Sequence, residues 1–189
     1  MLYVKDIEAF MADHFPLSLK ESWDNVGLLL GSSDKKIKKI LTSLNVTEKV
    51  AQEASEKKID LVIAHHPFPF KGLTQITDKT PEGRIALSFL KNEIALYSPH
   101  TAFDSAKQGI NQMIAEGFDL SAIGFLEEIP ATFLGKGRIG NLKKEKTIES
   151  LKEQIKGFFN ISSFAFMGEK EKKIRRIAIA CGAAGSFAQ

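Results

Sequence analysis

Three of the four histidines in this chain fall in two short polar clusters, each at the end of an apolar run. The first cluster belongs to LVIAHHPFPF, residues 61–70, where Leu61, Val62, Ile63 and Ala64 lead directly into His65 and His66 and then into Pro67 and Pro69. The second is SPHTAFD, in which His100 and Asp104 stand four residues apart. Neutral imidazole is a common metal ligand, and a carboxylate beside it makes a mixed nitrogen and oxygen set. Such a set suits Zn²⁺, Fe²⁺ or Mn²⁺ and makes a poor cage for Ca²⁺, which takes oxygen ligands.

The positions of these residues depend on the elements that carry them. A short apolar run between turn signals reads as a fully buried strand of a parallel sheet. Pro67 cannot donate to a ladder, so the strand must stop near His66. Both imidazoles then sit at a strand's carboxyl end, where open α/β sheets place their ligands. Neighbouring side chains on a strand diverge, so a turn is needed to bring the two rings together or to aim each at its own ion. Residues 94–98, IALYS, read as another strand, ending at the second cluster. If the two strands are neighbours, His65, His66, His100 and Asp104 converge on one sheet edge.

The remaining elements follow from spacing and caps. Residues 5–15 place Ile7, Phe10, Met11, His14 and Phe15 at helical intervals, with His14 as a helix-face residue. Trp23, Asp24 and Asn25 form a turn before the strand 26–30, where they are positioned to line a pocket. IKKILTSLN reads as a strand. Thr47 and Thr80–Pro81 start helices, and residues 67–79 form a long polar loop that could cover a site. Residues 109–116 read as a short helix. A second part, with its own elements beginning near Phe133, holds the strand GKGRIGNL, a helix capped by Thr147, a strand near 163–166 and a strand at 174–180. The lysines at 143–146 and 170–173 read as solvated turns. The order predicts an α/β fold in two units, residues 1–125 and 126–189, with mixed sheets flanked by helices.

Composition narrows the function class. The 189 residues are 43% hydrophobic and 26% charged, with one cysteine, Cys181, and a net charge of +3. That excludes an internal disulfide and fits a reducing compartment. The charge is weak evidence for a nucleic-acid partner, because lysines and acids are interspersed. MLYVKDIEAFM carries Asp6 and Glu8 and no long apolar core, so a signal peptide is not expected, and no run is long enough to span a membrane. The expectation is a soluble, cytoplasmic protein without a membrane partner. No GxxxxGK[ST] loop is present to cradle a nucleotide's phosphates.

ESWDNVGLLLG, SLNVTEKV, IAHHPFPFKGL, SPHTAFDSAKQGIN, GKGRIGNL and IAIACGAAGS, in this order, resemble the dinuclear metal-centre hexameric proteins, also called GTP cyclohydrolase 1 type 2 homologues. The resemblance runs from about residue 5 to 187. It implies a toroidal homohexamer with two divalent metal ions per site, facing an internal cavity. By the same resemblance, His65 and His66 ligate one ion each and Asp104 bridges or ligates. His100, Asp24, Asn25 and Asn45 stand behind the ligands or line the cavity. Arg138 and Lys71 are candidate anion contacts for a nucleotide or small cyclic amide substrate, and a non-catalytic metal-binding or partner-docking ring is the alternative. Two departures stand out. Asn45 occupies the place of a family aspartate in the Leu-Asp-Val-Thr segment. The family's later His-x-x-x-Glu segment also has no counterpart before Gln189, so the resemblance implies a shortened second unit, weak or absent metal binding, and a chain that self-associates or aggregates.

Overall fold

The computed structural model describes residues 1–129, 134–169 and 171–188; Phe133 and Lys170 lie outside the described residues. The chain forms two compact units, Met1–Ala106 and Lys107–Gln189. The division falls earlier than the boundary expected at 125, so residues 107–125 fold with the second unit.

The first unit contains β1 (Leu2–Tyr3), α1 (Val4–His14), β2 (Gly27–Leu30), β3 (Lys36–Ile37), β4 (Ile40–Ser43), α2 (Glu48–Glu56), β5 (Leu61–Ala64), α3 (Pro81–Lys91), β6 (Ala95–Ser98) and α4 (His100–Ser105). Its main sheet has the order β2-β6-β5-β4. β4, β5 and β6 run parallel, and β2 joins antiparallel at the edge. The side-chain period of two sorts the central strands cleanly. Val62, Ala64 and Leu96 face a core with Ala51 and Ala54 of α2 and Ile85, Ala86 and Phe89 of α3. Leu61, Ala95 and Tyr97 face Val4 and Met11 of α1 on the other side. Both faces are covered, which is why β5 and β6 are continuously apolar.

Local signals fix the helix starts. Thr47 Oγ1 accepts from Val50 N–H and Thr80 Oγ1 from Gly83 N–H, each satisfying a first-turn donor. The IKKILTSLN segment splits into β3 and β4, because Asp60 Oδ2 accepts both Lys38 N–H and Lys39 N–H, at 2.8 and 3.0 Å, and turns the backbone between them. β3 pairs instead with β1.

The second unit contains α5 (Ile110–Gly117), β7 (Ser121–Gly124), β8 (Glu127–Ile129), β9 (Leu134–Lys136), β10 (Arg138–Thr147), α6 (Ile148–Phe159) and β11 (Lys173–Ile179). Its three-stranded sheet, β11-β10-β7, is antiparallel, and β8 pairs separately with β9. Ala115, Phe118, Leu120 and Leu142 form its core, with Leu151 and Ile155 of α6 packed against them. Residues 143–146, expected in a turn, extend β10 around an irregularity between Asn141 and Lys146. Residues 163–166 are not a strand: they pair with no neighbour among the described residues, and Phe166 is exposed. Among the described residues, no helix is long and apolar enough to cross a membrane.

One glycine is demanded by close packing. Gly31, after β2, has φ +99°, and a Cβ there would lie 2.8 Å from the Ala95 Cα of β6. Gly31→Ala therefore combines left-handed strain with a clash against backbone that cannot rotate away. It is expected to destabilise the chain by about 2–4 kcal/mol, read as a lowered thermal midpoint. Gly185→Ala, with open space around it, is the neutral control.

Candidate metal centre

Past the end of β5 the ladder continues for two residues. His65 N–H donates to the Ser43 carbonyl and His66 N–H to the Leu44 carbonyl, both at 3.0 Å, while Ser98 Oγ donates to the His65 carbonyl at 2.7 Å. The two histidines are thus pinned between the ends of β4 and β6. The chain turns at Pro67, so the rings converge, with centroids 5.0 Å apart.

His100 opens α4, a helix that sequence reading missed, with φ +23°, a conformation rarely adopted by a residue bearing a side chain. Its ring lies 5.3 Å from that of His65 and 5.5 Å from that of His66. One ligand atom from each of the three histidines lies within 4.8 Å of the others. Asp104, one turn along α4, places Oδ1 3.7 Å from His65 Nε2. That separation is too long for a hydrogen bond and close to the spacing of two ligands on one ion, roughly 3.4 Å when each bond is about 2.0–2.1 Å.

Two hydrogen bonds decide which ring atoms face inward. Asp24 is fully buried and takes His100 Nδ1 at 2.8 and 2.9 Å on its two oxygens. Thr101 adds its N–H at 3.2 Å and its hydroxyl, and Asn25 N–H donates at 2.9 Å. Burial by itself pushes the Asp24 carboxyl up, but these Thr101 and His100 bonds outweigh it and hold the group below its ordinary value. An ionised carboxylate only accepts, so His100 carries a proton on Nδ1 and offers Nε2. At His66, Nδ1 donates to Asn45 Oδ1 at 2.6 Å, and Nε2 is again the remaining ligand atom. Asn45 keeps by its amide oxygen the orienting bond that an acid would make.

The structure gathers His65, His66, His100, Asp104, Asp24 and Asn45 in the first unit. His100, expected behind the ligands, contributes a ligand atom to the cluster itself. Asn25 ties the site's edge together, donating through its side-chain nitrogen to the Pro69 carbonyl at 3.4 Å. Lys71 is exposed on the following loop. Arg138 is placed differently from the expectation of an anion contact: it is 1% exposed within the second unit, where it donates to the Gly135 and Gly137 carbonyls and to Gln112 Oε1. Its donors are spent on holding a glycine-rich turn. Thr101 was missed by sequence reading, although it directly follows His100 in the same motif.

Burial, reinforced by the charges of His100 and His66, pushes His65 down to about 4. Burial also pushes Asp104 up to about 6, with His100 opposing and Asp24 adding to the rise. At neutral pH His65 is therefore a neutral ligand and Asp104 is largely ionised. In metal-free protein the two groups act on stability with opposite signs. Between pH 6.5 and 4 the unfolded chain protonates His65 but the folded chain does not, so this contribution is lost as pH falls. Between pH 6 and 3.8 the folded chain protonates Asp104 while the unfolded chain does not, so this contribution grows as pH falls. The two nearly cancel in the wild type. With chelator present, Asp104→Asn is expected to lose stability more steeply than wild type from pH 6.5 to 4, and His65→Gln less steeply, each by on the order of 2 kcal/mol. Parallel melting-temperature curves for all three proteins would contradict it.

Comparison with known proteins places this arrangement. The family model Duf34/NIF3 (NGG1p interacting factor 3) matches residues 2–189. A GTP cyclohydrolase 1 type 2 homolog from Clostridium acetobutylicum is 37% identical over 188 residues, covering 98% of this chain and 70% of the relative. NIF3-like protein 1 of Drosophila melanogaster is 38% identical over 191 residues, covering 97% and 63%. The crystal structure of the Staphylococcus aureus protein SA1388 superposes with a TM-score of 0.88 at 28% identity, over 98% of this chain and 74% of that one. The similarity spans both units and both histidine clusters, and the chain belongs to the Duf34/NIF3 family.

Proposed function

We propose that the chain holds two divalent metal ions, Zn²⁺, Fe²⁺ or Mn²⁺, and hydrolyses a nucleotide or a small cyclic amide. The observation that carries this reading is the convergence of one ligand atom from each of three imidazoles within 4.8 Å, two of the rings with Nδ1 already committed to an acceptor. Nitrogen donors fixed in one tautomer, with a carboxylate 3.7 Å from the nearest, fit first-row transition ions and zinc. His65, His66, His100 and Asp104 would hold the ions. When bound, paired divalent ions lower the pKa of a water and stabilise developing negative charge.

The chain's own residues supply the orientation. Asp24, itself held by Thr101, holds the imidazole of His100, and Asn45 holds that of His66. Lys71, exposed on the loop that follows the histidines, is the remaining candidate for a substrate anion. The nucleotide reading draws on the names of the relatives, which are GTP cyclohydrolase 1 type 2 homologs. A cytoplasmic homohexameric ring belongs to the same proposal.

Titration with Zn²⁺ or Mn²⁺ is expected to show binding that His65→Ala weakens at least tenfold, and metal-loaded protein is expected to release product from GTP or a cyclic amide. Metal binding without product at any loading would remove the hydrolase and leave a ring that holds metal or docks a partner. No metal-dependent signal that distinguishes His65→Ala from wild type would remove the metal centre itself.

A further inference from the structure

We propose that Trp23 and Phe70 form a seat for a planar ring on the ligand held at the histidine cluster, so that the site selects molecules in which a metal-binding oxygen group is attached directly to an aromatic or heteroaromatic ring. This rests on the metal reading above and names the substrate class of that site.

Trp23 is 63% exposed and Phe70 57% exposed, unusual values for two large aromatic side chains in contact. Their centroids are 6.1 Å apart and their planes tilt by 46°. A flat ring can therefore stack on the face of one and meet the other obliquely. Both meet His100 nearly edge-on, at 6.1 and 6.2 Å. Both aromatics therefore border the imidazole that belongs to the cluster.

The seat is built by the bonds that build the cluster. Trp23 precedes Asp24, which is locked to His100 and Thr101, and Asn25 donates to the carbonyl of Pro69, next to Phe70. The two exposed rings are thus tied to the buried Asp24 and to the Asn25–Pro69 bond. Their size argues for a small ligand. Together they expose roughly 270 Å², on side-chain areas of about 200–250 Å². A stable protein partner buries about 800 Å² on each side.

The test uses two probes with one chelating group, acetohydroxamate and benzohydroxamate, added to the 189-residue chain in excess Zn²⁺. Trp23 is the chain's single tryptophan, so its fluorescence reports on the seat directly. Benzohydroxamate is expected to quench it and to bind roughly tenfold more tightly than acetohydroxamate, the scale of one ring stacking on an aromatic side chain. By calorimetry, Trp23→Ala is expected to erase that preference while leaving acetohydroxamate binding unchanged, and Trp23→Phe to retain most of it. Equal affinities in the wild type, or a preference that survives both Trp23→Ala and Phe70→Ala, overturn the seat while the metal centre stands. Zinc failing to bind overturns both, and is distinguished because acetohydroxamate then does not bind either.

Discussion

The parallel pairing of β5 with β6 is the constraint on which the site depends. Leu61 lies opposite Ala95, Val62 opposite Leu96 and Ile63 opposite Tyr97, and each strand ends after its fourth residue. In a parallel pair both chains leave the sheet at the same edge, so residues some thirty-five positions apart in sequence must emerge side by side. Ser98 then bonds the His65 carbonyl and draws the two exits together. An antiparallel arrangement of the same strands would have sent the two histidine clusters to opposite ends. The burial of β5 and β6 on both faces stabilises this register, since a one-residue slip would turn every side chain to the wrong core.

The second requirement is electrostatic. A carboxylate with no solvent exposure is costly unless its oxygens are satisfied, and most of the bonds to Asp24 come from the other side of the site. His100 and Thr101 come from α4 and Asn25 from its own turn. The folding cost of burying Asp24 is thus offset only when α4 is docked with His100 in its positive-φ conformation. That couples the placement of a ligand atom to the stability of the first unit. Removing Asp24 would release both the imidazole and the first turn of a six-residue helix that has no side-chain cap of its own.

The sequence made legible whatever depends on local chemistry. Caps at Thr47, Thr80 and Thr147, the apolar runs of β5 and β6, and the prolines that end them gave the first unit's layout and the meeting of His65, His66 and Asp104. Interactions that close only in three dimensions were not legible. His100 was read into the converging set, but whether it faces the cluster or stands behind it was not legible, because its direction depends on a helix start with φ +23° and on a carboxylate 76 residues away. Arg138 was read as a candidate anion contact because nothing local shows that Gln112 and the Gly135 and Gly137 carbonyls enclose it. The unit boundary was displaced for the same reason: Phe118 and Leu120 are claimed by Leu142, which follows them by more than twenty residues.

The two orienting bonds differ in one respect that shapes the centre. His100 donates to an ionised carboxylate, whereas His66 donates to a neutral amide oxygen. A carboxylate partner draws the Nδ1 proton toward itself and makes Nε2 a stronger donor, while an amide fixes orientation with little gain in basicity. The imidazoles therefore form a graded set. His100 is the strongest donor and the most firmly held, with its side chain 11% exposed. His66 is correctly aimed but weaker and tied to an exposed amide. His65 is kept neutral by burial and lies nearest the carboxylate of Asp104. In the proposed metal centre such a set would hold an ion more tightly on the His100 side than on the His66 side, whose orienting partner meets solvent.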